Sequence, residues 1–289
     1  MHPSTTRLRI GGVPEHFNLP WILAMERNVF PAAGIDLSWT YYAGGTGAMT
    51  RAMAEGELDL AILLTEGFVS ARHKGLDAVI VKNYIETPLC WGIFTGGPTA
   101  SPEAFERPVY AISRMGSGSH LMAMIHAQKN GITPGGFKVV HSLEGAVHAL
   151  VNREADLFFW ERFMTKPFVI SGQLNEIGTF AAPWSGFIVA ATKKAVMDRS
   201  PEIRTTLALM NQQCEAFTRD AGTPSLLASR FPFTLQEAVQ WLVQTRWSTD
   251  FELRADDLRA AQRALMTVGE MDGPHDDIAA MCSSLIRLT

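Results

Sequence analysis

Two glycine-rich turns, each between a strand-like run and a helix-like run, are the segments best suited to bind a ligand. Gly44–Gly47 follows the strand-like Ile35–Tyr42, and Gly116–Ser119 follows the apolar Val109–Ile112. The first turn of a helix has unpaired N–H groups and the positive end of the helix dipole, so it suits a carboxylate, sulfonate or phosphate. Neither turn fits a dinucleotide or triphosphate loop. We predict an anion seat at both turns, the alternative being an ordinary strand-to-helix turn.

Two glutamates end apolar strand-like runs in the two halves of the chain. The segment Gly56–Leu60 leads into an apolar run that ends at Glu66. The similar segment Arg153–Leu157 leads into an apolar run that ends at Glu161. Two carboxylates could bind an amine or a protonated pyrimidine, or act as an acid/base pair if burial separated their pKa values. Alternatively, each stabilises the start of its own helix.

Histidines and aromatic residues near the same predicted strand ends add further candidates. His16 could hydrogen-bond or act as a base, unless it is a surface or capping residue. His120 could meet an anion as an imidazolium, unless it is a solvent-facing residue of the first helical turn. Trp160 and Trp184 could stack on a flat ring with Phe17 opposite, unless they belong to the core.

The predicted site uses only these types of group, with no metal or cofactor. The three cysteines are far apart and have no metal-ligand spacing. If the protein is an enzyme, the predicted catalytic residues are His16, Glu66 and Glu161. The predicted ligand-binding residues are His16, Phe17, Asn18, Gly44, Gly45, Thr46, Gly47, Thr65, Glu66, Asn83, Met115, Ser117, Gly118, Ser119, His120, Trp160, Glu161 and Trp184.

These residues need a scaffold, and strands alternate with helices along residues 7–192 in a rhythm typical of βαβ units and a parallel sheet. Ligands of such sheets bind beyond the carboxyl ends of the strands. We predict lobe 1 over residues 1–94 and 187–289 and lobe 2 over 95–186, with two crossings that form a hinge. A Gly/Pro/Ser-rich break at 96–102 marks the first crossing, near residue 94. Beyond residue 193 the chain is predicted to be mostly helical.

Bulk properties exclude several classes. The 289 residues carry a net charge of −4 and no basic run, which argues against a nucleic-acid partner. No apolar run approaches the roughly 20 residues that span a membrane. The N-terminus lacks the apolar region of a secretory signal. The sequence as written therefore indicates a cytoplasmic protein, or a periplasmic one if a signal was removed.

Four runs carry a family resemblance: RIGGVPEHFNLP, AGGTGAMTRAMAEGELDLAILLTEGF, SRMGSGSH and ADLFFWERFMTKPF with the later PW. They are similar to the type-II periplasmic-binding-protein-like superfamily. The branch that they most resemble is a soluble bacterial and fungal group related to the thiamine-precursor, taurine and alkanesulfonate binding proteins of ABC importers. The resemblance implies an α/β fold of two hinged sheets with flanking helices, a helical C-terminal extension, and a ligand in the cleft.

The function expected from these observations is that of a small-molecule binding protein. The helix N-termini and the aromatic side chains predict an anionic or heteroaromatic ligand. The related binding proteins suggest a pyrimidine, a thiamine precursor or a sulfonate as examples, and an ABC importer permease as a partner. A cytosolic enzyme on the same fold, with His16 and a glutamate as acid and base, is the first alternative. A ligand-sensing module is the second.

Overall fold

The computed structural model of the chain describes residues 5–97, 105–273 and 277–289. The chain divides into two compact units. The first consists of Met1–Thr87, Trp184–Ala261 and Pro274–Thr289, and the second of Pro88–Pro183 with Gln262–Gly273. Residues 1–4, and residues 98–102 of the predicted break, lie outside the described residues. The predicted α/β class is confirmed, because two five-stranded sheets with flanking helices form the structure.

The secondary-structure elements are numbered in chain order. The strands span Thr6–Gly12 (β1), Ile35–Tyr41 (β2), Leu60–Leu64 (β3), Ala78–Ile85 (β4), Cys90–Gly96 (β5), Val109–Ile112 (β6), Gly136–Val139 (β7), Leu157–Glu161 (β8), Leu174–Ala181 (β9), Phe187–Thr192 (β10), Glu252–Leu253 (β11) and Arg287–Leu288 (β12). The helices span Leu19–Glu26 (α1), Gly45–Ala54 (α2), Thr65–His73 (α3), Gly118–Lys129 (α4), Leu143–Val151 (α5), Arg162–Ile170 (α6), Lys193–Arg219 (α7), Thr223–Arg230 (α8), Leu235–Gln244 (α9) and Ala255–Thr267 (α10).

The sheet of the first unit is mixed, with the strand order β2-β1-β3-β10-β4. β1 pairs parallel with β2 and β3, whereas β10 pairs antiparallel with β3 and β4. β1 to β4 therefore share one direction, and their carboxyl ends meet at one edge together with the amino end of β10. The prediction of a parallel sheet is wrong for β10, because this strand arrives from a distant part of the chain and not through a βαβ crossover.

The sheet of the second unit is also mixed, with the order β7-β6-β8-β5-β9. Its exception is β5, which pairs antiparallel with β8 and β9. The predicted crossing near residue 94 falls inside β5, whose backbone is hydrogen-bonded to β9 from Cys90 to Gly96. The compact unit accordingly begins earlier, at Pro88.

The two units repeat one topology strand for strand. In each, the first strand lies between the second and third, and an antiparallel strand separates the third from the fourth. The Asp59 N–H donates to the Arg9 carbonyl at 2.9 Å, and the Asp59 carboxylate accepts from the Arg9 N–H at 2.9 Å. Asp156 makes the same two bonds to Val109, at 2.7 and 2.8 Å. The similar segments Gly56–Leu60 and Arg153–Leu157 therefore occupy the same structural position in the two units, at the start of the third strand.

The same correspondence shows that the two glycine-rich turns occupy different positions in their units. Gly44–Gly47 follows the second strand of its unit, whereas Gly116–Ser119 follows the first strand of its own. The counterpart of Gly116–Ser119 in the first unit is the loop after β1, at His16–Asn18. The two turns are thus not copies of one design, although both lead into helices.

The segment after β10 is mostly helical, as the predicted C-terminal extension requires. α7 starts at Lys193, and its backbone departs from helical geometry at Arg199, just before Pro201. A proline inside a helix removes a backbone hydrogen bond and clashes with the preceding turn, which accounts for the kink.

Every helix among the described residues is too short or too polar to span a membrane. Over the same residues, no group of three or more His, Cys, Asp or Glu side chains is arranged to hold a metal ion.

Candidate functional site

The carboxyl edge of the first sheet brings together the predicted site residues of the first unit. Loops after β1, β2 and β3, the segment before β10, and the end of β4 supply them. Such an edge is where α/β sheets bind ligands, because helix N-termini and loops converge there. The residues placed at this edge are His16, Phe17, Asn18, Gly44, Gly45, Thr46, Gly47, Thr65, Glu66, Asn83 and Trp184.

Glu66 is the buried carboxyl group of this edge. It lies in the first turn of α3 and is 2% exposed. The Trp184 indole Nε1 donates to its Oε2 at 2.7 Å, and its Oε1 is buried with no hydrogen-bond partner among the described residues. Burial raises the pKa of Glu66 to about 7, although the hydrogen bonds from its own backbone and from Trp184 act in the opposite direction.

Ser185, the residue after Trp184, is the centre of a network of buried hydrogen bonds. The Thr65 hydroxyl donates to the Ser185 carbonyl at 2.6 Å, and the Ser185 hydroxyl donates to the Asp257 carboxylate. Asn83 Nδ2 donates to the Ser185 hydroxyl at 3.4 Å, and Asn83 Oδ1 is buried without a partner among the described residues. Ser185 thus fixes Thr65, Asn83 and Asp257 at once.

Three features of this network were not predicted. Trp184 was expected at the mouth of the second lobe, but it belongs to the first unit and contacts Glu66. Ser185 was not singled out, because a serine in a Pro-Trp-Ser-Gly turn is an ordinary turn residue. Asp257 lies in the first turn of α10, where a carboxylate is expected from helix electrostatics alone, so no functional role was predicted for it.

The loop after β1 is held by its backbone. The Phe17 carbonyl accepts from the Tyr84 hydroxyl at 2.7 Å and from the Trp247 indole at 3.3 Å. Asn18 Nδ2 donates to the Val13 carbonyl at 2.8 Å, and Asn18 Oδ1 is buried with no partner in the described parts of the chain. Phe17 itself is buried, with its ring centroid 5.2 Å from that of Phe187. These contacts hold the loop after β1 in place at the carboxyl edge of the sheet.

His16 lies inside a cluster of aromatic rings. Its ring centroid is 4.5 Å from those of Phe17 and Trp241 and 5.1 Å from that of Phe233. The residue is fully buried, and burial lowers the pKa of its imidazole to about 3. The ring is therefore neutral near pH 7, and its basicity there is too low for the acid/base role that the enzyme hypothesis gives to it.

The glycine turn after β2 places the start of α2 against the end of β3. The Thr46 hydroxyl accepts from the Leu64 N–H at 3.1 Å. A Cβ on Gly67 would come within 2.5 Å of the Thr46 Cγ2, so the starts of α2 and α3 approach closely. Gly45 adopts φ of +64°, which glycine tolerates without strain. The predicted turn is present, and its residues lie beside those that carry Glu66.

The glycine-serine turn of the second unit is hydrogen-bonded mainly within itself. The Ser117 hydroxyl caps α4 by accepting from the His120 N–H at 3.3 Å, and it lies 3.0 Å from the Ser119 hydroxyl. The Ser119 hydroxyl in turn accepts from the Ser113 N–H at 2.9 Å. Gly118 starts the helix, and Met115 is exposed. The serines build the helix start, and their role toward an anion stays a prediction.

The His120 ring is buried and acts as an acceptor in this arrangement. Its Nδ1 accepts from the Gly116 N–H at 3.1 Å, and the Glu270 Oε1 lies 3.5 Å from the same nitrogen. A proton on this nitrogen would pair with the carboxylate and displace the bond from Gly116. The imidazolium role of His120 stays a prediction.

Glu161 and Trp160 have structural partners in the second unit. Glu161 is the N-cap of α6, and its Oε2 accepts from the Phe163 and Met164 N–H groups at 2.9 Å each. This is the helix-stabilising alternative raised for both glutamates. The Trp160 ring stacks on Phe158, with centroids 5.2 Å apart, and packs against the core of the unit.

The two glutamates also differ in position. Leu64 precedes α3 as Glu161 precedes α6, so Glu66 lies two residues beyond the counterpart of Glu161. Of the two, only Glu66 has a buried carboxylate oxygen that lacks a hydrogen-bond partner among the described residues. The candidate acid of the site is therefore Glu66.

Comparison with known proteins places this geometry in a known fold. Residues 91–180, which lie in the second unit, match the family described as Ca3427-like PBP. The Candida albicans CA3427 gene product is similar in structure over 98% of this chain and 96% of its own, with a TM-score of 0.86 and 21% identity. It is described as having the generic periplasmic binding protein fold. No curated protein sequence matches the chain at a significant level.

Two sulfonate-binding proteins share the architecture. The alkanesulfonate-binding protein SsuA of Xanthomonas axonopodis pv. citri, bound to MOPS, has a TM-score of 0.79 and 15% identity over all of both chains. The periplasmic aliphatic sulphonate binding protein SsuA of Escherichia coli has a TM-score of 0.74 and 17% identity, over 96% of this chain and 97% of its own. The chain thus has the periplasmic-binding-protein fold, and the fold that the resemblance implied is confirmed.

Proposed function

We propose that this protein is a solute-binding protein for a small organic molecule that contacts the carboxyl edge of the first sheet. The observation that carries the proposal is the buried polar group set at that edge, in which Glu66 Oε1 and Asn83 Oδ1 have no hydrogen-bond partner among the described residues. Buried polar atoms in folded proteins are nearly always hydrogen-bonded, so such atoms at a sheet edge point to a ligand.

The structural neighbours support the same function. The two SsuA proteins bind sulfonates, and a Staphylococcus aureus neighbour is the ligand-binding component of an ABC-type import system. Sulfonates are therefore one class of compound to test, with pyrimidines and thiamine precursors beside them. An ABC importer permease is the proposed partner, and the periplasm, which is named for the Escherichia coli neighbour, is the proposed compartment.

A ligand screen by thermal shift, followed by native mass spectrometry of the freshly purified protein, tests this function. We expect at least one compound among sulfonates, pyrimidines and small amines to raise the Tm and to be recovered unchanged. Conversion of that compound with time would instead favour the enzyme hypothesis, with Glu66 as its acid. A screen in which no class of compound binds would reject the solute-binding function.

A further inference from the structure

Two buried acceptor oxygens at the first-sheet edge have no donor among the described residues. Glu66 and Asn83 are 2% and 4% exposed, and each ends in a buried oxygen without a partner among the described residues. Their remaining polar atoms are already used, since Glu66 Oε2 accepts from Trp184 and Asn83 Nδ2 donates to Ser185. A buried acceptor without a donor is energetically unfavourable. Glu66 Oε1 and Asn83 Oδ1 therefore each require a hydrogen-bond donor.

One short segment positions both acceptors. Trp184 holds Glu66, and the next residue, Ser185, holds Asn83 and is itself fixed by Asp257. The two oxygens are therefore positioned by adjacent residues in the segment just before β10. Such fixed placement is what a specific polar contact to a small ligand requires.

The charges of this set are unfavourable for an anion. Its ionisable groups are the carboxyls of Glu66 and Asp257, and within the described residues no lysine or arginine pairs with Glu66. Arg254 lies 3.9 Å from Asp257, but its side chain is largely exposed. The adjacent His16 loop adds no positive charge near pH 7, because that ring is neutral. Above pH 7, where Glu66 is ionised, a sulfonate beside Glu66 and Asn83 would meet a like charge and two acceptor oxygens.

We infer that the ligand of this protein presents hydrogen-bond donors to Glu66 and Asn83, as a protonated amine, an amidine or an amino-substituted heterocycle does. The inference deepens the proposed function and rests on it. It distinguishes this chain from a sulfonate-binding protein, since an oxyanion has acceptors where ionised Glu66 and Asn83 Oδ1 require donors.

Matched pairs of probes test the inference, because they share an apolar part and differ in the polar group. Benzamidine is compared with benzenesulfonate, and propylamine with propanesulfonate, by isothermal titration at pH 8. Glu66→Gln keeps the shape of the side chain and an acceptor for Trp184 but removes the charge. Glu26→Gln is the control, since it removes a carboxylate of the same unit from an exposed pair with Arg230.

We expect the cationic member of at least one pair to bind, and Glu66→Gln to weaken it roughly tenfold or more, as for the loss of a charged hydrogen bond. Glu26→Gln should leave its affinity unchanged. Binding of sulfonates but of no cation would overturn the inference and leave the proposed function standing. Cation binding that is unaffected by Glu66→Gln would also overturn it. Binding of neither class, in the pairs and in the wider screen, would reject the proposed function itself.

A second variant guards against a folding defect in the first. Asn83→Leu replaces the other acceptor by an apolar group of similar size, and circular dichroism with thermal melting establishes whether each variant is folded. We expect Asn83→Leu to weaken the same cation by about tenfold. An unchanged affinity in a folded Asn83→Leu variant would remove Asn83 from the site.

Discussion

The side chain of Glu66 should make the stability of the protein depend on pH. Burial raises its pKa from 4.5 to about 7, so the folded state holds a proton that the unfolded chain has already released. Its contribution is complete below pH 4.5 and is lost as the pH rises through 7. At about 1.4 kcal/mol per pKa unit, the loss amounts to about 3 kcal/mol.

Glu66→Gln tests this directly. The difference in free energy of unfolding between the variant and the wild type, from urea melts at pH 4 to 8, should change by about 3 kcal/mol in favour of the variant as the pH rises. Glu26→Gln gives the baseline for the loss of an exposed carboxylate. A pH-independent difference for Glu66→Gln would mean that the carboxyl group is not buried in solution.

His16 should act in the opposite direction. Burial lowers its pKa from 6.5 to about 3, so its contribution is complete above pH 6.5 and is lost as the pH falls through 3. His16→Phe, which suits an aromatic cluster, should remove this acid sensitivity, worth on the order of 5 kcal/mol. His148→Gln on the exposed face of α5 is the control. Between pH 4.5 and 6.5 the effects of His16 and Glu66 oppose each other, so the wild-type profile should be flatter there than that of either variant.

At the scale of elements, the start of α4 permits a clean test of the predicted anion seat. Ser117 caps this helix with its hydroxyl, and aspartate caps helices equally well. Ser117→Asp should therefore keep α4 intact but repel an anionic group at its first turn. We expect anionic compounds that bind the wild type to lose roughly three- to tenfold in affinity, while neutral ones are unaffected.

Ser142→Asp is the matched control for that experiment. Ser142 caps α5 in the same unit by accepting from the Gly145 N–H at 3.1 Å. The same charge is thus added to a neighbouring helix start that was not predicted to bind a ligand. Equal losses in the two variants would show only a general electrostatic effect, and the anion seat at Ser117–His120 would then be rejected.

The elements themselves were largely predictable. The glycine turns, the buried strand β3 and the helices after residue 193 follow local rules, and the structure places α2 at Gly45 and α4 at Gly118. The directions of β5 and β10 were not, because an antiparallel strand that joins a sheet from elsewhere in the chain leaves no local pattern. The partners of the candidate site share this origin: Ser185 meets Asp257 across 72 residues and Glu66 meets Trp184 across 118.

At the scale of the whole molecule, the chain passes from the second unit back to the first directly before a residue of the candidate site. The second unit ends at Pro183, and the next residue, Trp184, donates to Glu66. One glycine inserted between Pro183 and Trp184 should displace the indole. Because that hydrogen bond lowers the pKa of Glu66, its loss should raise this pKa above 7 and extend the pH-dependent fall in stability to higher pH.

The same insertion after Gly131, in the exposed loop between α4 and β7, is the control. It should leave the Glu66-dependent part of the pH profile unchanged. That part is obtained as the difference between each insertion variant and its combination with Glu66→Gln. If both insertions leave the Glu66-dependent fall in stability ending near pH 7, the hydrogen bond from Trp184 does not influence the pKa of this carboxyl group.

The bond between Trp184 and Glu66 has one more consequence. A carboxylate accepts a stronger hydrogen bond than a neutral carboxyl group does, so gain or loss of one proton changes how firmly the backbone is anchored where it re-enters the first unit. By thermodynamic reciprocity, a force applied to that backbone changes the proton affinity of the acid. Tension on the backbone at Trp184 and the protonation of Glu66 are therefore thermodynamically coupled.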